Sequence, residues 1–134
     1  MNLDDSRSLA RAVVRWGLSK KAEDALLLDV EKLSDVTDCF VLLTGSSPLQ
    51  VQAIADAVLD GAREGGRKPL HQEGRDLGRW VLIDYVDVVV HVMLPELRRY
   101  YGLERLWGDA PQMRFDEEGE TLPDEGAPAP EEER

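Results

Sequence analysis

The sequence predicts an α/β fold in which a mixed β-sheet has helices packed on one face. Two compact aliphatic runs, at 22–30 and 39–45, have the length and composition of buried strands. A helical pattern follows the second run directly, and three more strand-like segments come after it. Such interleaving of strands and helices is typical of layered α/β domains. The 134 residues are enough for one hydrophobic core, and they contain no internal repeat.

The first two elements before the central helix are simple to justify. Leu9, Val13 and Trp16 recur at helical spacing, and polar residues precede them, which predicts a short helix over 6–16. The run at 22–30 is aliphatic and bounded by polar residues, as a buried strand requires.

The central helix is predicted over residues 48–64. Ser47 can cap its open N–H groups, and Pro48 at the first helical position loses no hydrogen bond. Apolar residues then recur at helical intervals until Gly65 and Gly66 supply the stop.

The rest of the chain contains three further strands and a last helix. The strands are predicted at 69–73, 79–84 and 87–94. The last two of them flank a turn at Tyr85 and Val86. Pro95 starts the final helix, which Gly102 should bend or break.

Acidity is concentrated at the C-terminal end. The net charge is −11, of which −8 lies in residues 116–134, so the rest of the chain is nearly neutral at −3. The end segment is rich in Glu, Pro and Gly and cannot bury enough apolar surface to offset its ordering entropy. We therefore predict a single domain over 1–115 and a disordered acidic tail over 116–134.

The sequence favours a cytoplasmic protein. No apolar run approaches the roughly 18 residues of a membrane span, and the N-terminus lacks the layout of a secretion signal. Cys39 stands alone inside an apolar run, which favours a buried side chain in a reducing compartment over a catalytic thiol.

The segment TGSSP, at 44–48, is the strongest candidate for an active site. A strand followed by Gly-Ser and a helix looks like the opening of the nucleotidyltransferase fold, whose enzymes hold two metal ions on carboxylates. The interval at which a carboxylate pair should follow falls within the helix, at Asp56, with no second acid beside it. A helix cap is therefore favoured, and an enzyme that uses the Gly45–Ser46 loop is the alternative.

No other reactive constellation is indicated. His71 and His91 are the only histidines, and neither lies in a ligand-spaced motif with Cys or His. Basic residues between 63 and 79 are interspersed with acidic ones, which argues against sequence-specific nucleic-acid binding. We predict no catalytic residue, no metal site and no cofactor.

The segment WVLIDYVDVVVHV, at 80–92, combines a hairpin with three polar residues. A turn at Tyr85–Val86 would pair positions whose numbers sum to 171, so that Trp80 opposes His91 and Asp84 opposes Asp87. One face would then be purely aliphatic and buried under the helices: Val81, Ile83, Val88, Val90 and Val92.

The other face of this hairpin has two interpretations. Asp84 and Asp87 are explained equally well by hydrogen bonds to local backbone N–H groups of the turn. That explanation does not cover Trp80 and Leu82, which with the carboxylates make a suitable surface for a basic protein partner.

These segments together resemble the ribosomal silencing factor family, also called Iojap-related. The resemblance covers roughly residues 7–111. Its markers are D-x-F-V-x-x-x-G-x-S at 38–47, Glu73-Gly74, W-V-x-x-D-Y-x-D-V-V-V-H-V at 80–92 and L-E-x-L-W-G-D-A at 103–110. Each marker is weak alone, and their combination is highly specific.

The resemblance implies a non-enzymatic role on a nucleotidyltransferase-like fold without catalytic carboxylates. It implies binding to the large ribosomal subunit through its fourteenth protein, which sterically blocks the small subunit and represses translation when nutrients are scarce. It also implies a homodimer. The residues expected to bind the partner are Glu73, Trp80, Leu82, Asp84, Tyr85, Asp87 and His91.

Overall fold

The structure, a computed structural model, describes residues 2–122. Its helices are α1 (Ser6–Leu18), α2 (Pro48–Glu64), α3 (Pro95–Tyr101) and α4 (Leu103–Leu106). Its strands are β1 (Glu23–Asp29), β2 (Cys39–Thr44), β3 (His71–Glu73), β4 (Trp80–Asp84), β5 (Val88–Met93), β6 (Gln112–Phe115) and β7 (Thr121–Leu122). The predicted elements are confirmed, whereas β6 and β7 were not predicted.

The strands form one sheet in the order β3-β4-β5-β2-β1-β6-β7. β2 and β5 pair in parallel, and all the other neighbours pair antiparallel. The sheet is therefore mixed, as predicted.

The central helix begins and ends where its caps dictate. Ser47 is extended, and its side-chain oxygen accepts a hydrogen bond from the N–H of Gln50. Pro48 occupies the first turn, and Gly65 ends the helix. The apolar stripe that begins with Val51 packs onto the sheet together with α1.

The main core lies between α1, α2 and one face of the sheet. The aliphatic hairpin face predicted to be buried is fully buried there: Val81, Ile83, Val88, Val90 and Val92. Since strand side chains alternate, the intervening residues point to the opposite face.

A second, smaller core lies on that opposite face. Leu26, Leu28 and Leu42 are fully buried there, and Leu103 and Trp107 pack against them. The chain reaches this position because Gly102, with φ of 58°, ends α3 in a left-handed conformation and redirects it into α4. The two long helices thus cover one face, and the C-terminal segment covers part of the other.

Regular structure continues past the predicted domain boundary. β6 pairs with β1, and β7 pairs with β6 through a turn in which Asp116 Oδ1 accepts from the N–H groups of Glu118 and Glu120. Residues 116–122, assigned to the tail by composition, therefore belong to the fold. Residues 123–134, for which disorder was also predicted, lie outside the described residues.

The predicted hairpin register is wrong by two residues. Trp80 pairs with Met93 and Asp84 pairs with Val89, so paired numbers sum to 173. The turn lies one residue later than predicted, because Tyr85 N donates to Val88 O at 2.8 Å and Val86 takes a φ of 79°. A shift of two residues preserves which face each strand residue occupies, but Asp84 and Asp87 no longer oppose each other.

Candidate partner-binding face

Part of the sheet face opposite α1 and α2 is not covered by the C-terminal segment. We call it the open face, and it is formed by half-buried side chains from three adjacent strands: Phe40, Trp80, Leu82, Asp84 and Val89. Three of them were predicted as partner-binding residues. Phe40 was not predicted, although alternation of side chains along β2 would have placed it on this face.

His91 lies beneath this face and is 6% exposed. Trp80 Nε1 donates a hydrogen bond to His91 Nδ1 at 2.9 Å. Burial lowers the pKa of His91 from 6.5 to about 4, so the ring is neutral at physiological pH and can accept this bond. His91 was predicted to bind the partner, but the structure places it as a support for Trp80.

Aromatic rings extend from this pair in both directions. Trp80 contacts Tyr101 with ring centroids 4.8 Å apart, and His91 contacts Phe40 at 5.7 Å. Phe40 in turn contacts Trp107 at 5.4 Å. These tilted contacts fix the orientation of large apolar groups with few rotatable bonds, which is what a protein-binding surface needs.

Acidic side chains border the open face. Asp84 is half-buried, and its Oδ1 accepts a hydrogen bond from Val86 N at 2.8 Å, so it also stabilises the turn. Glu73 on β3 pairs with Leu82 and contacts the imidazole of His71. The turn interpretation of Asp84 is therefore confirmed, and its role in binding a partner stays a prediction.

Tyr85 and Asp87, two of the residues predicted to bind the partner, lie apart from this face. Tyr85 is 2% exposed within the main core, and burial raises its pKa to about 12. Asp87 lies in the turn, where its Oδ1 accepts from Arg67 Nη2 at 2.6 Å. The same guanidinium donates to the carbonyls of Tyr85 and Leu3, at 3.0 and 2.6 Å. These residues hold the N-terminus against the hairpin.

The Glu73-Gly74 marker has a structural reason. Gly74 has a φ of 87°, and a Cβ built there would lie 2.0 Å from the carbonyl oxygen of Trp80. Only glycine allows the backbone to approach the start of β4 this closely. Gly74 therefore fixes the position of the backbone at Trp80, and with it the place of the Trp80 side chain on the open face.

The backbone N–H groups of the Gly45–Ser46 loop donate hydrogen bonds within the protein itself. Gly45 N donates to Met93 O at 3.1 Å, and Ser46 N donates to Gln50 Oε1 at 2.7 Å. Ser47 caps α2, which confirms the helix-cap interpretation. The amides that would hold a phosphate in an enzyme of this type are thus engaged.

Asp56 is the one acidic residue at the spacing where a nucleotidyltransferase would carry its metal-binding carboxylates, and its side chain is already paired. It forms a two-pronged ion pair with Arg75, at 2.8 and 2.6 Å, which lowers the pKa of its carboxyl group. Among residues 2–122, no group of three or more His, Cys, Asp or Glu is placed to hold a metal ion. None of the helices in this part of the chain is long and apolar enough to cross a membrane.

Comparison with known proteins places this chain in a family. A family model described as "Ribosomal silencing factor during starvation" (RsfS) matches residues 3–134. The ribosomal silencing factor RsfS of Bacillus subtilis is 52% identical over 97 residues, which cover 72% of this chain and 82% of the relative.

A solved structure and a more distant relative agree. The crystal structure of a Chromobacterium violaceum protein has a TM-score of 0.71 and 34% identity, covering 97% of each chain. A mouse relative, "Mitochondrial assembly of ribosomal large subunit protein 1", is 29% identical over 114 residues, which cover 79% of this chain and 49% of the relative. These matches confirm the resemblance found in the sequence markers: the chain belongs to the ribosomal silencing factor family.

Proposed function

We propose that this protein represses translation by binding the large ribosomal subunit through its open face. The partner surface is the fourteenth large-subunit protein, at the subunit interface, and the bound protein sterically blocks the small subunit. The observation that carries the proposal is the open face itself. Its aromatic anchors, supported by the Trp80–His91 hydrogen bond, lie beside acidic groups on a sheet whose other face is fully committed to the core.

Charge complementarity supports a basic protein partner. Asp84 and Glu73 lie on the same side of the sheet as Trp80, and β3 is exposed along its whole length. Acidic groups around an apolar centre favour encounter with a surface rich in Arg and Lys and disfavour acidic competitors. The name of the family model supports a ribosomal target, and that of the mouse relative points to the large subunit.

The mode of action requires no catalysis. The engaged Gly45–Ser46 loop and the Asp56–Arg75 pair argue against a nucleotidyltransferase. We propose a cytoplasmic regulator that also forms a homodimer, in keeping with the family resemblance.

Co-sedimentation with isolated large subunits tests this proposal. Wild-type protein should sediment with the subunit, and Leu82→Arg on the open face should abolish this. Leu49→Arg is the matched control, because Leu49 is 77% exposed at the start of α2, on the other side of the sheet. Equal binding by both variants would contradict the assignment of the open face.

Calorimetry with a nucleotide separates regulation from catalysis. Nucleoside triphosphate is titrated into the protein with magnesium and again with EDTA. Binding that depends on magnesium would contradict the non-enzymatic proposal, since nucleotidyl transfer requires the metal to neutralise the phosphates.

A further inference from the structure

A cleft of about 420 Å³ lies beside α3 and α4, and none of the residues that form the open face lines it. Thr44 at the end of β2 and Pro95 just after β5 line it. Because these two strands are parallel, the cleft lies at their carboxyl ends. β2 leads into α2 on one face of the sheet, whereas β5 leads into α3 on the other. In open α/β sheets such a change of side creates a ligand crevice.

Four arginines line this cleft. Arg98 comes from α3, Arg99 follows it, Arg105 comes from α4, and Arg114 comes from β6. Two acidic residues also line it, Asp24 and Glu104, and Glu104 Oε2 lies 3.4 Å from Arg98 Nη2. This local excess of positive charge stands out in a chain of net charge −11.

Arg98 is the buried member of the set. It is 7% exposed, and its Nη1 donates to the carbonyl of Asp24 at 2.6 Å and to Thr44 Oγ1 at 2.8 Å. Its Nη2 is buried and has a carboxylate neighbour in Glu104, but among the described residues it makes no contact with hydrogen-bond geometry. Because the ion pair with Glu104 leaves hydrogen-bonding capacity of this buried guanidinium unused, the site favours an added anionic oxygen.

The fold holds Arg98 in place before any ligand arrives. β1 bulges between Glu23 and Leu26, and Asp24 takes a φ of 49° within this bulge. That distortion directs the Asp24 carbonyl to the guanidinium. An arginine fixed in this way can present its fork to a tetrahedral oxyanion at little entropic cost.

We propose that this cleft binds a phosphoryl group, with Arg98 as the fixed anchor and Arg99, Arg105 and Arg114 as the rim. The group can belong to a free phosphorylated ligand or to an RNA backbone, because both present the same oxyanion. Binding is independent of magnesium, since arginines supply the positive charge. The site is separate from the open face, so large-subunit binding through Leu82 can fail or succeed without affecting this proposal.

Nuclear magnetic resonance of the full-length, nitrogen-15-labelled protein in EDTA tests the site. Titration with inorganic pyrophosphate should give saturable shifts of the Thr44 and Arg98 amides. Arg98 itself is left intact, because its removal would leave Asp24 and Thr44 without their buried donor. The test variant is instead the double change Arg105→Gln, Arg114→Gln, which should raise the dissociation constant at least fivefold.

Arg63→Gln is the matched control, because Arg63 is 64% exposed on α2, on the opposite side of the sheet. It should bind pyrophosphate as the wild type does. The proposal is overturned if no cleft amide shifts saturably, or if the double variant and the control bind equally.

A second titration with a fluorescent ten-nucleotide oligouridylate identifies the source of the phosphate. The cleft is assigned to an RNA backbone if the oligouridylate binds more tightly than pyrophosphate. The slope of log K against log salt concentration should then become shallower by about 0.7 for each arginine removed. Binding no tighter than that of pyrophosphate would assign the cleft to a free phosphorylated ligand.

Discussion

Trp80 Nε1 and His91 Nδ1 form a hydrogen bond of 2.9 Å that runs diagonally between two strands of the sheet. The backbone partner of Trp80 is Met93, and that of His91 is Leu82, so the bond adds to the pairing of the strands. It orients the indole of Trp80 on the open face and satisfies a buried imidazole. The surface proposed for binding therefore depends on a histidine that is itself hidden.

His91 makes stability depend on pH. The unfolded chain binds a proton on this ring near pH 6.5, whereas the folded protein does so only near pH 4. His91 therefore does not lower the free energy of unfolding above pH 6.5. As pH falls toward 4, its protonation in the unfolded chain lowers that free energy by about 3 kcal/mol at most. Urea unfolding at pH 7 and pH 4.5 measures the decrease.

His91→Gln isolates this contribution. Glutamine keeps an acceptor for the Trp80 indole and cannot titrate, so the variant should lose less stability than the wild type between the two pH values. Carboxylates titrate equally in both proteins and cancel in the comparison. The same decrease in both proteins would show that His91 is not the responsible group.

Arg67 should contribute more to stability than an exposed arginine. Arg67→Gln removes donors to Leu3, Tyr85 and Asp87, and is expected to lower the free energy of unfolding by about 2 kcal/mol. Arg63→Gln breaks only an exposed pair with Asp60 and should cost less than about 0.5 kcal/mol. Denaturant melts of the two variants test the contrast, and equal midpoints would contradict it.

Gly66 and Gly74 allow two costs of a Cβ to be measured separately: strain of the backbone conformation and steric overlap with a neighbouring strand. Gly66 and Gly74 have nearly the same φ, 90° and 87°, but only Gly74 lacks room for a Cβ. Gly66→Ala should cost about 1 kcal/mol through its backbone conformation alone. Gly74→Ala should cost at least twice as much and should change the near-ultraviolet circular dichroism of Trp80, because it displaces the start of β4. Equal costs would contradict the role assigned to Gly74.

The charge of Asp84 can be tested without disturbing the turn. Asp84→Asn keeps the oxygen that accepts from Val86 N and removes only the negative charge. We expect weaker binding to the large subunit, by about threefold to tenfold at low salt, and a smaller effect at high salt. Asp60→Asn on α2 is the matched control, with a side chain that is 58% exposed. An equal loss in both variants would indicate a general charge effect and contradict a specific role for Asp84.

Local signals in the sequence predicted most of the fold. α2 was predicted at its observed bounds because Ser47, Pro48 and Gly65 carry their own capping chemistry. β6 and β7 were missed because β6 is short and depends on pairing with β1, nearly ninety residues earlier. The coverage of the second core by α4 was missed for the same reason, since it depends on tertiary contacts of Trp107.

The candidate site was predicted in part. Alternation along the strands placed Trp80, Leu82 and Asp84 on one face, and this survives the register error because the shift is an even number. The sequence did not show that Tyr85 would turn into the core, since its burial depends on Arg67 and the N-terminus. It also did not show that an aromatic neighbour would cover His91.

A subunit-joining assay with purified ribosomal subunits tests directly whether the open face blocks the small subunit. Large subunits are first incubated with wild-type protein, Leu82→Arg or Leu49→Arg; small subunits are then added, and the joined ribosome is measured by sedimentation. We expect the wild type and Leu49→Arg to prevent joining and Leu82→Arg to allow it. Undiminished joining in the presence of saturating wild-type protein would contradict this expectation.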